Sequence, residues 1–179
     1  LDVLLAPGVY PVPLGAGALA QLLLNLVANA RDAIHGRGTV TVRTADALVD
    51  RCRPGWPAHL PSGRYVALTV TDTGVGMSEA VRARVFEPYF TTKGAAGNGV
   101  GLATVAEIVR RARGHVEVSS AEGWGTTVRV YIPAADGPAA RTPPPAAAGV
   151  GKTATVLLVQ DEAVALDLAA VALQVGILR

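Results

Sequence analysis

The sequence predicts an α+β fold, a two-layer α/β sandwich over residues 1–134, followed by a linker and an isolated β-α unit. Three observations lead there. Strand-type segments come in runs, with helices placed to one side, which fits a two-layer sandwich better than a doubly wound sheet. Residues 19–34 carry an amphipathic helix with a continuous apolar stripe. Residues 135–152 are so rich in Ala, Pro and Gly that they read as a linker between domains.

Residues 1–5 read as a strand without preceding context, so the chain is expected to start inside a larger protein. Pro7, Gly8, Pro11, Pro13 and Gly15 break the chain before the first helix. On that helix Leu19, Leu22, Leu23, Leu26, Val27, Ala30, Ala33 and Ile34 form the apolar stripe, and Gly36 and Gly38 stop it. Gly15 to Gly17 bring no acidic residue to its first turn. Alternation predicts a strand over 39–44, then a Pro- and Gly-rich loop over 50–63 and a second strand over 65–71. Ser78 caps a short helix over 79–86 that Pro88 ends. Residues 91–98 are small and flexible and read as a mobile loop. A helix over 102–112 stops at Gly114, and strands over 115–119 and 126–132 flank a turn at 122–125. After the linker, 153–159 is a buried-type strand and 161–175 an amphipathic helix. One β-α unit cannot bury its own apolar faces, so this piece reads as the truncated start of another domain.

Composition narrows the function classes. Half the 179 residues are hydrophobic and 17% are charged, which excludes a disordered chain. No run reaches the roughly 18 apolar residues needed to span a bilayer, and no signal peptide opens the chain; a cytoplasmic setting is expected, with anchoring of the full-length protein through a membrane segment upstream of Leu1 left open. The net charge of +2 comes without a basic stripe, so nucleic acid is not an expected partner. The single Cys52 excludes an internal disulfide.

Chemistry-bearing residues lie on three elements. Gln21, Asn25, Asn29 and Asp32 share one narrow face of the first helix, beside its apolar stripe. Asparagine is a mediocre helix former, so two of them there ask for a reason. A carboxamide oxygen is a neutral hard ligand suited to Mg²⁺ that takes its other ligands from water and nucleotide phosphates. Taken alone, the pair reads as a solvated polar edge. Asp72, at the end of a buried strand, is a good acceptor for an exocyclic amine, and Gly74 and Gly76 let a flat ring approach the backbone. An ordinary Asp-Gly turn is the simpler reading of that segment by itself. Gly97, Gly99 and Gly101 open the helix that starts at Leu102, where backbone N–H groups and the helix dipole suit phosphates.

Taken together, these segments resemble the catalytic, ATP-binding domain of sensor histidine kinases. That domain belongs to the superfamily that also holds DNA gyrase B and the heat-shock chaperone ATPases, and the resemblance implies its Bergerat ATP-binding fold. The N box is similar to residues 25–32 (NLVANARD) and the first glycine box to 72–77 (DTGVGM). The F box is similar to 85–93 (VFEPYFTTK), the second glycine box to 97–102 (GNGVGL) and the terminal strand motif to 123–133 (GWGTTVRVYIP). The five motifs stand in order, at family spacing, within residues 1–134.

The resemblance implies ATP and Mg²⁺ as cofactors and a role for each site residue. Asn29 would coordinate the Mg²⁺, while Asn25 and Asp32 would contact its waters and the phosphates. Asp72 would accept the adenine amine, with Thr126 closing that contact. Lys93 and the loop to Asn98 would cover the phosphates, cradled by Gly97, Gly99, Gly101 and Leu102. Phe86 and Phe90 would anchor that cover and not touch substrate. Asn98 stands where the family usually has Thr or Ser.

Position 25 separates two chemistries. In the superfamily's ATP-hydrolysing members the equivalent residue is typically a Glu acting as general base. Asn25 has no useful basicity, which favours transfer to an acceptor that is itself nucleophilic, such as a neutral imidazole. None of His35, His59 and His115 stands in the helical setting of the family's acceptor, so the acceptor hairpin is expected to precede Leu1. The expected function is donation of the ATP γ-phosphate to a histidine on that dimerisation hairpin, in a two-component relay. The alternative is a non-catalytic ATP-binding or scaffold module. Expected partners are the hairpin and a response-regulator receiver domain, within a full-length homodimer.

Gly151, Lys152 and Thr153 imitate a P-loop, but Ala146 replaces the first glycine and the segment opens a strand instead of a helix. Residues 155–162 (TVLLVQDE) instead resemble the first strand and acidic cluster of a receiver domain, with Asp161 and Glu162 as that cluster. The whole would then be a fragment of a hybrid histidine kinase.

Overall fold

The computed structural model describes residues 1–6, 8–94 and 97–135. The linker beyond Ala135 and the receiver-like segment 153–179, with Asp161 and Glu162, lie outside the described residues. Eight elements follow in order: β1 (Asp2–Leu5), α1 (Ala16–Ala33), β2 (Val40–Val49), β3 (Gly63–Asp72), α2 (Glu79–Arg82), α3 (Gly101–Arg111), β4 (His115–Ala121) and β5 (Gly125–Pro133). The strands form one sheet in the order β1-β2-β3-β5-β4. β1 runs parallel to β2, and the other neighbours are antiparallel. This is the expected α+β sandwich.

α1 and α3 cover one face of the sheet because each presents a single apolar side to it. Leu22, Leu23, Leu26, Val27 and Ala30 of α1 are buried, as are Val105 and Val109 of α3. They meet Val40 and Val42 of β2, Leu68 and Val70 of β3, and Val128, Val130 and Ile132 of β5, all on alternate positions of one sheet face. Each fully buried Leu or Val contributes about 1.5–3 kcal/mol. α1 starts after Gly15 with no side-chain cap and no acid in its first turn, so the helix is held by burial further along, from Leu22 onward with Leu19 partly buried ahead of it.

Two elements differ from expectation. β2 continues five residues past Thr44, to Val49, and pairs with β3 along its whole length. Alternation fades there because the buried face changes: Val40 and Val42 face the helices, whereas Ala47 and Val49 face the opposite side. α2 covers only Glu79–Arg82 and not 79–86. Ser78 does cap it, its Oγ accepting the Val81 N–H at 3.4 Å. The chain then tightens into i→i+3 bonds, Arg84 to Val81 and Glu87 to Arg84, ahead of Pro88.

The loop between β2 and β3 folds over the sheet face that the helices leave open. Trp56 and Leu60 are buried there against Tyr65, Ala67 and Tyr131. Trp56 sits edge-on to Tyr65, His115 and Tyr131, with ring centroids 5.1, 5.1 and 5.3 Å away. Arg53 pins the loop to Glu117 at 2.9 Å, and Arg129 and the Tyr131 hydroxyl donate to the same carboxylate. His115 is a packing residue in this cluster. Burial holds its pKa below the ordinary 6.5, Glu117 opposing and Arg53 and His59 reinforcing the shift. The folded state therefore prefers the neutral ring, and the resulting stability is full above pH 6.5 and is lost as pH falls through the folded pKa. Thermal melts at pH 7.5 and 5.5 are expected to show a smaller drop for His115→Phe than for wild type. An equal drop would show that His115 is not the titrating group.

Candidate functional site

A cleft of about 870 Å³ opens between α1, the ends of β3 and β5, and the segments leading into α2 and α3. That volume lies within the roughly 300–1,000 Å³ of small-molecule sites. Leu26, Val70, Val85 and Val128 supply an apolar lining, on which a small number of polar groups converge.

Asp72 stands at one end, 5% exposed on the last residue of β3. Its Oδ1 accepts the Gly74 N–H at 2.8 Å and the Thr126 N–H at 3.2 Å. Both backbone bonds fall on one oxygen, which leaves Oδ2 for a ligand in the cleft that Asp72 lines. Burial raises the carboxyl pKa and the two N–H bonds lower it, with burial prevailing. The Thr126 hydroxyl lies 3.0 Å from that of Ser120, which donates to the Gly125 carbonyl at 2.9 Å. Thr126 thus reaches Asp72 through its backbone, with its side chain held by Ser120, a residue the sequence pattern did not single out.

The glycines of 72–77 divide their roles. Gly74 is buried behind Asp72 and does not line the cleft; a Cβ there would collide with the Ala33 carbonyl of α1, the group that accepts the Val75 N–H at 2.9 Å. Gly76 does line the cleft, at φ 68°, and a Cβ there would overlap the Ala121 carbonyl.

Asn25 and Asn29 both reach the cleft from α1. The Nδ2 of each is buried and has no hydrogen-bond partner, although Gln21 donates to Asn25 Oδ1 at 3.4 Å. An unsatisfied buried donor costs about 1–3 kcal/mol, so two of them in one cleft mark a place built for a polar ligand. α3 begins directly opposite. Its first residue, Gly101, lies against the Asn29 amide so closely that a Cβ would come within 3.2 Å of Nδ2. Val100 caps α3 without a side-chain bond, and Asn98 Oδ1 accepts the Val100 N–H at 3.2 Å. The helix N–H groups that follow remain for an anion. Gly97, Gly99 and Leu102 line the same wall, and Gly99 accepts the Tyr89 N–H at 2.9 Å, tying residues 85–93 to the start of α3.

Asp32 and Lys93 meet across the cleft mouth, Lys93 Nζ lying 2.7 Å from Asp32 Oδ2. Arg31 holds Oδ1 at 2.8 Å. Burial disfavours the Asp32 charge, but the bonds from Lys93 and Arg31 outweigh it and hold the pKa below its ordinary value. In the loop expected to be mobile, residues 95 and 96 lie outside the described residues, and the Lys93 N–H donates to Thr91 Oγ1 at 3.1 Å. Phe90 lines the cleft with Arg84 stacked 4.3 Å over its ring, whereas packing alone was expected of it. His35 lies exposed at the rim. The cleft therefore brings together Asn25, Asn29, Asp32, Asp72, Gly76, Lys93, Gly97, Gly99, Gly101, Leu102 and Thr126, with Gly74 behind it.

Known proteins resemble this chain in sequence and in fold. The family model described as histidine kinase-, DNA gyrase B-, and HSP90-like ATPase matches residues 16–136. Sensor kinase CckA of Brucella abortus is 36% identical over 163 residues, covering 86% of this chain and 17% of that protein. Sensor histidine kinase ZraS of Salmonella typhi is 39% identical over 115 residues, 64% of this chain and 22% of that protein. The chain thus spans about a fifth of the length of these relatives. Among solved structures, the mycobacterial sensor histidine kinase MprB superposes with a TM-score of 0.57 at 28% identity, over 74% of this chain and 80% of that one. Full-length ShkA in complex with AMPPNP gives 0.57 at 27% identity, over 77% of this chain and 26% of that one. In sequence and in fold, the chain belongs to the histidine kinase-, DNA gyrase B-, and HSP90-like ATPase family, matching the ATP-binding portion of sensor histidine kinases.

Proposed function

We propose that this chain binds Mg·ATP in the cleft and donates the γ-phosphate to a histidine on a dimerisation hairpin outside it, within a two-component phosphorelay. The single observation that carries the reading is the polarity of the cleft. A buried carboxylate with one committed oxygen stands at one end, and at the other two asparagines with unpartnered Nδ2 groups line the cleft, Asn29 against an uncapped helix N-terminus. The first suits the exocyclic amine of adenine, and the second suits a phosphate chain.

The residues fit Mg²⁺ carried in on those phosphates. The Asn29 carboxamide beside the α3 N-terminus offers a neutral hard oxygen. Among the described residues no group of three His, Cys, Asp or Glu forms a metal cage, so the ion's other ligands would come from nucleotide and water. When bound, Mg²⁺ would offset the phosphate charge. Asn25 contributes no general base, so the acceptor must be nucleophilic in its own right, as a neutral imidazole is. His59 and His115 do not line the cleft, whereas His35 is exposed at its rim, so the position of the transferred label separates His35 from an external acceptor.

The reading extends to a receiver domain beginning at residues 153–179, with Asp161 and Glu162 as its acidic cluster, and to a response regulator as phosphate acceptor in a homodimeric full-length kinase. The CckA match takes in 86% of the chain, so it runs past residue 136, where the family model ends. No helix among the described residues is long and apolar enough to cross a membrane.

The test supplies a histidine-bearing hairpin of a related kinase together with γ-labelled ATP. Acid-labile, alkali-stable label is expected on the hairpin and none on the chain, and Asn29→Ala is expected to abolish transfer. Label on the chain itself would overturn the external acceptor. Nucleotide binding without transfer to any hairpin would favour a non-catalytic ATP-binding module.

A further inference from the structure

Asp32 has a different environment from the other polar groups of the cleft. The two asparagines leave buried donors without partners, whereas both Asp32 oxygens are engaged, Oδ1 by Arg31 and Oδ2 by Lys93. The Lys93 bond joins positions 61 residues apart, from the α1 wall to the segment entering from the other side, and both residues line the cleft. Asp32 stands three residues beyond Asn29 on α1, so it flanks the phosphate end of the site.

Resting on the nucleotide reading above, we infer that Asp32 is a positioning residue that restrains Lys93 in the ligand-free site, and that a phosphate chain binds with full strength only by taking Lys93 from it. An ammonium on a four-carbon stem is a compact charge that changes partners readily. The pair is about one-third exposed on each side, at 35% and 37%, so it is weak enough to be exchanged. An ion pair of that exposure is worth roughly two- to fivefold in an equilibrium. A polyphosphate carries more negative charge than one carboxylate and is the stronger partner for Lys93. Asp32 also repels the phosphate oxygens nearest it, where the resemblance implied a favourable phosphate contact. The restraint therefore acts on the phosphate chain and leaves base recognition at Asp72 untouched.

A double-mutant cycle tests this. Dissociation constants for Mg·ATP and for adenosine are measured calorimetrically on the wild-type chain, Asp32→Asn, Lys93→Gln and the double variant, with melting temperatures confirming that each is folded. Asp32→Ser serves in place of Asp32→Asn if that variant melts early. Asp32→Asn is expected to tighten ATP about threefold and to leave adenosine unchanged. Lys93→Gln is expected to cost more ATP affinity in the Asp32→Asn background than in wild type, by roughly two- to fivefold. An equal or smaller cost in that background would overturn the inference, since Asp32 would then be inert or would present Lys93 to the phosphates. Weaker ATP binding by Asp32→Asn would overturn it too. Failure of the wild-type chain to bind either ligand would overturn the nucleotide reading and this inference with it.

Discussion

Asp72→Asn is expected to lower ATP affinity by about 100-fold or more while the fold stays intact. The Asn carbonyl can still accept the Gly74 and Thr126 N–H groups that now meet at Oδ1, so no buried donor is orphaned. What changes is the atom in place of Oδ2. An acceptor becomes an NH₂ donor facing the exocyclic amine of adenine, itself a donor, and a site built around a hydrogen bond rejects a ligand that cannot make it by orders of magnitude. Calorimetry against Mg·ATP, with a thermal melt as the control, measures both halves. A loss under tenfold would remove Asp72 from base recognition. The pH dependence has a definite sign. Burial raises the Asp72 pKa above its ordinary 3.8, and protonation turns one acceptor oxygen into a donor, so affinity in wild type should fall as pH drops through that raised value.

Leu22→Ala is expected to cost about 3–5 kcal/mol of stability, a large share of the roughly 5–15 kcal/mol that a domain has. Leu22 is fully buried in the centre of α1, among the residues that dock the helix on the sheet. The truncation removes apolar contact and leaves a cavity that a rigid helix-on-sheet interface fills poorly. Urea unfolding should show a lower midpoint with an unchanged slope. Leu22 does not line the cleft, so the folded fraction should bind nucleotide normally. A loss below 1 kcal/mol would show that α1 is held mainly by its other contacts.

Sequence periodicity revealed the helices, whose burial is one-sided, and the strands that set alternate apolar residues against them, although β3 and β5 also bury Tyr65, Ala67 and Tyr131 on the other face. α1 and α3 each show one apolar stripe, and β3 and β5 alternate against them. It failed for the end of β2, where the buried side switches between Val42 and Ala47, because the loop carrying Trp56 covers the other face. A Pro-rich loop gives no periodic sign that it will form a second small core. The convergence of these polar residues on one cleft was legible because their types are costly where they stand, as with the half-buried asparagines and the strand-end Asp72. Their partners were less so. The bond from Lys93 to Asp32 and the approach of Gly101 to Asn29 join residues far apart in sequence, and the Ser120 hydroxyl meets Thr126 only through the register of the β4–β5 hairpin. Nothing local in the chain encodes those meetings, which depend on strand register and helix placement. Gly74 shows the same limit: the motif suggested access for a ring, and the structure uses the position to bring Ala33 against the strand end.

The close backbone contacts behind Asp72 restrict how this site can diverge. Gly74 meets Ala33, Gly76 meets Ala121 and Gly125 meets the Asp72 carbonyl, each with no room for a side chain. A mutation at any of the three must displace main chain, so the Asp72 end of the cleft is close to an evolutionary dead end for gradual change. Variation by small steps is open instead at the rim, where Val75, Thr92 and His35 are exposed and no backbone contact constrains them so tightly. Descendants of such a chain would be expected to keep the Asp72 end unchanged and to differ in what approaches the mouth of the cleft.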